Sequence, residues 1–177
     1  MDTSDSKNPE LNITPIDDEL ARQEQEVQAQ KDESFAMKII SRRDERVVAF
    51  YLIYAADRAD YTIDLDVICD DFCKGFGLQL DDHTYPRQVA QGTIEQRDAL
   101  DERIKPFLKN WKLERLGCCT KLILRLALWE LLQPKAISSV VINEAVELAK
   151  TFAEKDAYKF VNGILDEIYQ KTIAIDA

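Results

Sequence analysis

From Arg42 to Arg58 the chain reads RRDERVVAFYLIYAADR, and Val47, Phe50, Tyr51 and Tyr54 recur at three- and four-residue intervals. That spacing predicts an amphipathic helix with these side chains on its apolar side. Asp64 to Leu78 predicts a second helix, with Ile68, Phe72 and Phe76 on one stripe and Gly75 and Gly77 weakening its end. Asp81, Asp82 and Thr84 offer N-caps for a third, and Pro86 suits a first helical turn. This third helix extends to about Asn110 around Val89, Ile94, Ile104, Phe107 and Leu108, with a kink or break at Pro106. Gly92 lets a neighbouring helix come close. Glu114 to Gln133 contains CCTKLILRLALWELL, with Leu122, Leu126, Trp129 and Leu132 on one face and Ile123 and Leu131 widening it. Pro134 ends it. Ser138 or Ser139 is expected to cap a helix over about Val140 to Phe152, buried through Val141, Ala145, Leu148 and Phe152. Asp156 opens the last helix, where Tyr158, Val161, Leu165 and Ile168 repeat. Asn143 and Asn162 stand inside these apolar helices; as buried amides they would need partners and would fix helix register. No stretch alternates as a strand does. The expected class is all-α, a bundle of about six or seven helices packed around helix 114–133.

Composition sharpens this picture. With 46% hydrophobic and 32% charged residues among 177, a core can form, and only 5 Gly and 5 Pro argue against a loop-rich β fold. The first 40 residues carry ten acidic and four basic side chains, few large apolar ones and no strong periodicity. Residues 1–38 are therefore expected to be an acidic tail, disordered or weakly helical, ahead of a helical domain at 39–174. The net charge of −10 makes the whole chain a poor generic binder of nucleic acid or anionic membrane. Charge is nonetheless uneven. Residues 57–82 hold eight aspartates, whereas residues 102–125 hold seven basic side chains against Glu102 and Glu114. A solvated helix face and a docking surface for phosphates both explain that basic run. Arg42, Arg43 and Arg46 at the start of the first helix oppose its dipole. Residue types alone leave two readings open: neutralisation by Asp44 and Glu45, or an anion-binding patch.

Catalytic chemistry is scarce. The chain has a single histidine, His83, in an expected surface loop, and no GxGxxG, GxxxxGK[ST], HExxH or GxSxG motif. The aspartates at 57, 60, 64, 66, 70 and 71 lack a partner motif on a facing helix, so they read as a solvated acidic face. Cys69, Cys73, Cys118 and Cys119 have no CxxC spacing and read as buried thiols, too few with one histidine for a closed zinc site. No cofactor is expected. No apolar run reaches the roughly 18 to 20 residues of a membrane span, and the N-terminus has neither an apolar signal region nor an arginine-rich transit pattern. A cytoplasmic protein is expected.

The run VVINEAVELAKTFAEKDAYKFVNGILDEI at 140–168 resembles the C-terminal motif of the NusB family of transcription antitermination factors, through Ile142, Asn143, Glu144, Ala145, Glu147, Leu148, Ala149 and Lys150, then Lys159 to Gly163, Leu165 and Asp166. Upstream, Trp111, Arg115, Leu124, Arg125, Leu126, Ala127, Glu130 and Leu131 are similar to the family's tryptophan, arginine and "LRLA..EL" pattern. At the front, Arg42, Arg43, Arg46, Ala49, Ile53 and Tyr54 match its arginine-rich start and "A..LY" segment. The resemblance spans about residues 40–170.

The resemblance implies two three-helix-like halves and a function without catalysis. It implies pairing with the small-subunit ribosomal protein that doubles as NusE, binding of a boxA-like single-stranded RNA on ribosomal transcripts, and an indirect action on RNA polymerase. Arg42, Arg43 and Arg46 inherit the RNA contact, and Lys159 and Phe160 could add a charge and a ring, although Phe160 is equally suited to the core. Tyr54, Arg115 and Thr120 fall at positions implied to face NusE; Thr120 stands where many family members carry an acid. Monomer and homodimer stay open. The alternative is a NusB-like protein-interaction module with weak or lost RNA binding, favoured by the net charge and Thr120. A third reading, an accessory domain of a ribosomal RNA methyltransferase, lacks a glycine-rich cofactor loop and the length for that second domain. The acidic tail next to the arginines is expected to compete with RNA for them. Deleting residues 1–36 should then tighten RNA binding, most strongly at low salt, because screening over about 8 to 10 Å mutes the competition at physiological salt. Equal affinity with and without the tail at every salt concentration would reject that competition.

Overall fold

The computed structural model describes residue 22, residues 38–109 and residues 111–173. The expected tail lies outside the described residues apart from Arg22 and Lys38. The described residues form seven α-helices and no strand: α1 Arg42–Arg58, α2 Leu65–Phe76, α3 Tyr85–Glu95, α4 Arg97–Ile104, α5 Cys118–Leu131, α6 Ser138–Phe152 and α7 Ala157–Ile168. Short 3-10 turns at Lys105–Phe107 and Leu113–Arg115 connect α4 to α5, and a π-turn at Tyr169–Ile173 follows α7.

Helix α5 is buried nearly all round. Leu122, Ile123, Leu124, Leu126, Ala127 and Leu128 are all at most 1% exposed. A helix that is apolar on every side can only sit at the centre, and α1, α3, α4, α6 and α7 all pack on it. Helices α2 and α3 lean on α1, while α6 and α7 lean on each other. Gly92 makes one of these approaches possible, since a Cβ there would lie 2.2 Å from the indole of Trp129 on α5.

Local chemistry sets the ends. Ser41 begins α1 with a capping box: its hydroxyl accepts from the Asp44 N–H at 3.2 Å, and the Asp44 carboxylate accepts from the Ser41 N–H at 2.8 Å. Asp64 caps α2 by accepting from the Asp66 N–H, and Gly77 ends that helix in the left-handed region at φ 63°. The turn after α1 holds Asp60 and Tyr61 at φ 49° and 56°. A polar chain secures it. Arg125 on α5 reaches both Asp101 oxygens at 2.7 Å and the Tyr61 hydroxyl at 3.0 Å. Tyr61 in turn donates to Asp57 at 2.8 Å, and the Cys118 thiol to the other Asp57 oxygen at 3.2 Å. Burial and then the Asp57 carboxylate push the Tyr61 hydroxyl up to about 12 and the Cys118 thiol up to about 11.

Several expectations need correction. The stretch 84–110 is two helices: the backbone leaves helical geometry at Gln96 (φ −99°, ψ 10°), and Pro106, which has no N–H to donate, falls in a 3-10 turn. Ile137, not a serine, precedes α6, because its carbonyl accepts from both Val140 and Val141 at 3.0 Å and Ser138 is already helical. Aliphatic Val48, Leu52, Ile53 and the small Ala49 and Ala56 take the buried side of α1 with Phe50, leaving Tyr51 and Tyr54 at its exposed edge. Phe76 is likewise exposed. Asn143 faces solvent between buried Ile142 and Ala145, and half-buried Asn162 simply bonds Asp166 at 2.9 Å. Of the four thiols only Cys69 is fully buried.

The close packing at Gly92 has a measurable consequence. Gly92→Ala should cost about 1–3 kcal/mol in chemical denaturation through overpacking, and adding Trp129→Leu should recover part of it. Equal stability of Gly92→Ala and the wild type would show that the helices separate freely.

Candidate nucleic-acid interface

The three arginines at the start of α1 share a helix end but not an environment. Arg42 is exposed, pairs with Glu45 at 2.8 Å, and holds its guanidinium carbon 4.0 Å from the ring centroid of Tyr85 on α3. Arg43, also exposed, makes a two-pronged contact to Glu144 on α6 at 3.0 and 2.8 Å. The hydrogen bond from Arg43 holds the Glu144 carboxyl below its ordinary range. Arg46 is only 6% exposed and donates to both oxygens of Glu130 at 3.1 and 3.0 Å. Glu130, equally buried on α5, also accepts the Tyr85 hydroxyl. Burial opposes the charge of Arg46, but the Glu130 hydrogen bond and charge more than offset it, so the guanidinium stays firmly protonated.

Of the neutralising acids expected from residue types, Glu45 does pair with Arg42, but Asp44 pairs with none of the three arginines. Asp44 spends its carboxylate on the helix cap, and the acids that meet Arg43 and Arg46 come from helices 101 and 84 residues further along. Exposed Arg42 and Arg43 can exchange their carboxylates for a phosphate at little cost, because exposed ion pairs contribute about 0–1 kcal/mol. Arg46 cannot, because leaving Glu130 would strand a buried charge.

A second cluster lies between the 108–117 segment and the start of α7. Trp111, Arg115, Thr120, Glu154, Lys155 and Phe160 line a cleft of about 510 Å3. Trp111 is 58% exposed and Phe160 is half-buried, so both rings are in reach of a ligand. Thr120 is buried and donates to the Glu154 carboxylate at 2.7 Å. Gly117, which precedes α5 without a side-chain cap, leaves room for that carboxylate; a Cβ would lie 1.4 Å from one of its oxygens. An acid therefore stands at the α5 N-terminus, favourably for the dipole, although it comes from the α6–α7 connection. Asp156, at φ 67°, turns the chain into α7. Lys159 is exposed, pairs with Asp156 at 2.9 Å and is absent from the cleft wall.

The structure thus brings Arg115, Thr120 and Phe160 together and leaves Tyr54 elsewhere. Tyr54 borders an aromatic cluster in which Phe50 stacks on Phe152 at 4.8 Å and Tyr51 meets Phe152 edge-on at 5.5 Å. Reading the sequence for sites missed Tyr85, Glu130 and Glu154, whose roles depend on distant partners. Trp111 carried one signal in the sequence beyond its place in the family pattern, the flanking Lys109, Asn110 and Lys112. Among the described residues no three His, Cys, Asp or Glu side chains converge as a metal site would require, and no helix is long and apolar enough to cross a membrane.

A helical domain with a cationic helix start and an aromatic cleft is a binding domain in form. Residues 43–170 match the profile of the NusB family, and the chain belongs to that family. It is similar to the transcription antitermination protein NusB of Staphylococcus epidermidis, at 40% identity over 132 residues that cover 73% of this chain and 98% of that one. Among solved structures it is similar to T. maritima NusB, with a TM-score of 0.63 and 32% identity over 76% of this chain and 94% of that one. It is also similar to a chain in the structure of antitermination factors NusB and NusE in complex with dsRNA, with a TM-score of 0.62 and 25% identity over 73% and 96%.

The environments of the arginines predict unequal effects. Arg46→Ala should cost about 3–5 kcal/mol by stranding Glu130, whereas Arg43→Ala should cost less than about 1 kcal/mol. Urea denaturation of the two variants decides it; equal losses would mean that Glu130 is not desolvated.

Proposed function

We propose that this chain is a non-catalytic, cytoplasmic transcription antitermination factor that binds a boxA-like single-stranded RNA together with NusE and so acts indirectly on RNA polymerase. A helical domain at 39–174 does the binding, and the acidic segment 1–38 modulates it. The observation that carries this reading is the cleft where exposed Trp111 and half-buried Phe160 stand beside Arg115 and Lys155, with the Glu154 carboxylate engaged by Thr120. Rings flanked by cations suit unstacked bases on a phosphate backbone, a combination that a paired duplex does not offer. Family membership and the likeness to a NusB–NusE–RNA assembly point the same way.

In this reading Arg42 and Arg43 meet phosphates, Phe160 and Trp111 stack bases, and Lys159 adds charge at the cleft's edge. Tyr54, with the aromatic cluster around Phe152, faces NusE, while Arg115 and Thr120 lie where the protein and RNA surfaces meet. A second reading has its own support: Arg43 and Arg46 are both already paired with carboxylates. A partner-binding module with weakened RNA affinity would look the same.

Anisotropy of a labelled boxA-like RNA, titrated with the chain alone and with NusE, separates the two. RNA binding that appears or sharpens with NusE supports the antitermination reading. Trp111→Ala should then weaken it by about 1–3 kcal/mol. Arg42→Ala with Arg43→Ala should flatten the slope of log K against log salt by about 0.7 for each phosphate that is no longer neutralised. Binding of NusE without any binding of RNA would establish the second reading.

A further inference from the structure

Gly163 stands in the middle of α7, a helix of 12 residues. Glycine is the poorest helix former after proline, because it surrenders the most backbone freedom. Its usual justifications are missing at this position. The backbone is not in the left-handed region, where Gly77 lies. No neighbour presses on it either: a Cβ at Gly163 would meet nothing within 4 Å, whereas at Gly92 and Gly117 it would strike Trp129 and Glu154. Gly75 is equally open, but it is one residue from the end of α2, where helices fray. Among the described residues nothing requires Gly163, and it leaves bare backbone on the exposed side of α7.

That bare strip continues the cleft. Phe160, which lines the cleft, is three residues before Gly163 and exposed Lys159 four before, so both share its side of the helix. Four residues beyond is Glu167, which meets both Lys109 at 3.2 Å and Lys171 at 2.7 Å. One carboxylate does not neutralise two ammonium groups, and the lysine side chains are 72% and 63% exposed. Asp166, the neighbouring acid, is occupied by the Asn162 amide at 2.9 Å. With a rise of about 1.5 Å per residue, the lysine pair lies about 10 Å along the axis from Phe160.

We propose, resting on the RNA-binding reading above, that the single strand held in the cleft continues along α7, crossing the helix against the bare backbone of Gly163 and placing its next phosphates on Lys109 and Lys171. The track uses none of the arginines of α1. Glycine admits a sugar–phosphate chain to contact with the Cα, a distance that any side chain would forbid, and the Cα–H groups there can meet its oxygens. Lys109 and Lys171 can leave Glu167 for a phosphate at little cost, because their ion pairs are exposed. The surplus cation at the far end selects a polyanion over a protein segment, which would need only the gap.

The test pairs stability with binding in the full chain. Gly163→Ala should raise the midpoint of urea denaturation, since alanine suits a helix interior better, yet weaken binding of a labelled boxA-like single-stranded RNA. The expected loss is about two- to fivefold, the size of one Cα–H···O contact. Gly163→Leu, also a good helix former, should weaken it further. Lys109→Gln with Lys171→Gln should flatten the slope of log K against log salt by about 0.7 for each phosphate given up. Anisotropy at several salt concentrations, with and without NusE, reads these effects. Gly163→Ala and Gly163→Leu chains that bind RNA like the wild type overturn the track, and so does a Gly163→Ala that is less stable, since the fold itself would then need the glycine. An unchanged salt slope in the lysine variant also overturns it. If Trp111→Ala weakens binding while the Gly163 variants do not, the track falls and the RNA-binding function stands. A wild-type chain that binds no RNA with or without NusE overturns both. Loss of NusE binding in Gly163→Leu, with the RNA affinity of the chain alone unchanged, assigns this face to a protein partner and overturns the strand.

Discussion

The buried pair between Arg46 and Glu130 constrains everything near the start of the first helix. Two opposite charges are almost fully withdrawn from water, and their attraction must offset the loss of hydration of both. It does so because the Arg46 Nε–H is shared between both Glu130 oxygens and the Tyr85 hydroxyl donates to the same carboxylate. Three helices, α1, α3 and α5, are thereby joined at one point. Apolar packing alone tolerates small rotations of a helix about its axis; a desolvated ion pair does not. The exposed faces of Arg42 and Arg43 are presented in fixed directions because Arg46, one turn further on, is anchored.

A second polar chain plays a related part at the other end of α1. Arg125, Asp101, Tyr61 and Asp57 tie α5 and α4 to a turn whose backbone sits in the left-handed region at two non-glycine residues. Such backbone is costly by about 1–3 kcal/mol per residue and persists only where surrounding contacts over-determine it. The hydrogen bonds to Tyr61 supply that determination. Helix α5 thus contributes a charged side chain to each end of α1, through Glu130 and Arg125, while its other residues form the apolar centre.

Periodicity revealed the helices because burial of one stripe leaves a direct imprint on residue order. The centrality of α5 was legible for the same reason: no solvated face interrupts CCTKLILRLALWELL except at Lys121, Arg125 and Glu130. Two of those three exceptions proved to be the buried charges, and neither could be paired from sequence, because their partners lie 24 and 84 residues away. Tyr51 and Tyr54 misled for a different reason. A three- and four-residue spacing fits two neighbouring stripes of α1 equally well, and only packing decided that the smaller side chains go inside. The arginines were recognisable as a group, but their division into two exposed cations and one anchored one depends on what three other helices place opposite them. Glu154 was illegible because its position at the α5 N-terminus is made by the absence of a side chain at Gly117.

The order of the helices along the chain also bears on how the protein is made. The centre of the molecule, α5, is encoded after α1 to α4, and the partner of Arg46 follows it by 84 residues. At a synthesis rate of roughly 5–20 residues per second, Arg46 waits about 4 to 17 seconds before Glu130 leaves the peptidyl-transferase centre. During that interval α1 has no buried carboxylate to meet and no α5 to cover Val48, Leu52 and Ile53. The emerging N-terminal helices are therefore an open assembly on the ribosome, and the bundle closes late and from the inside, when its middle element arrives.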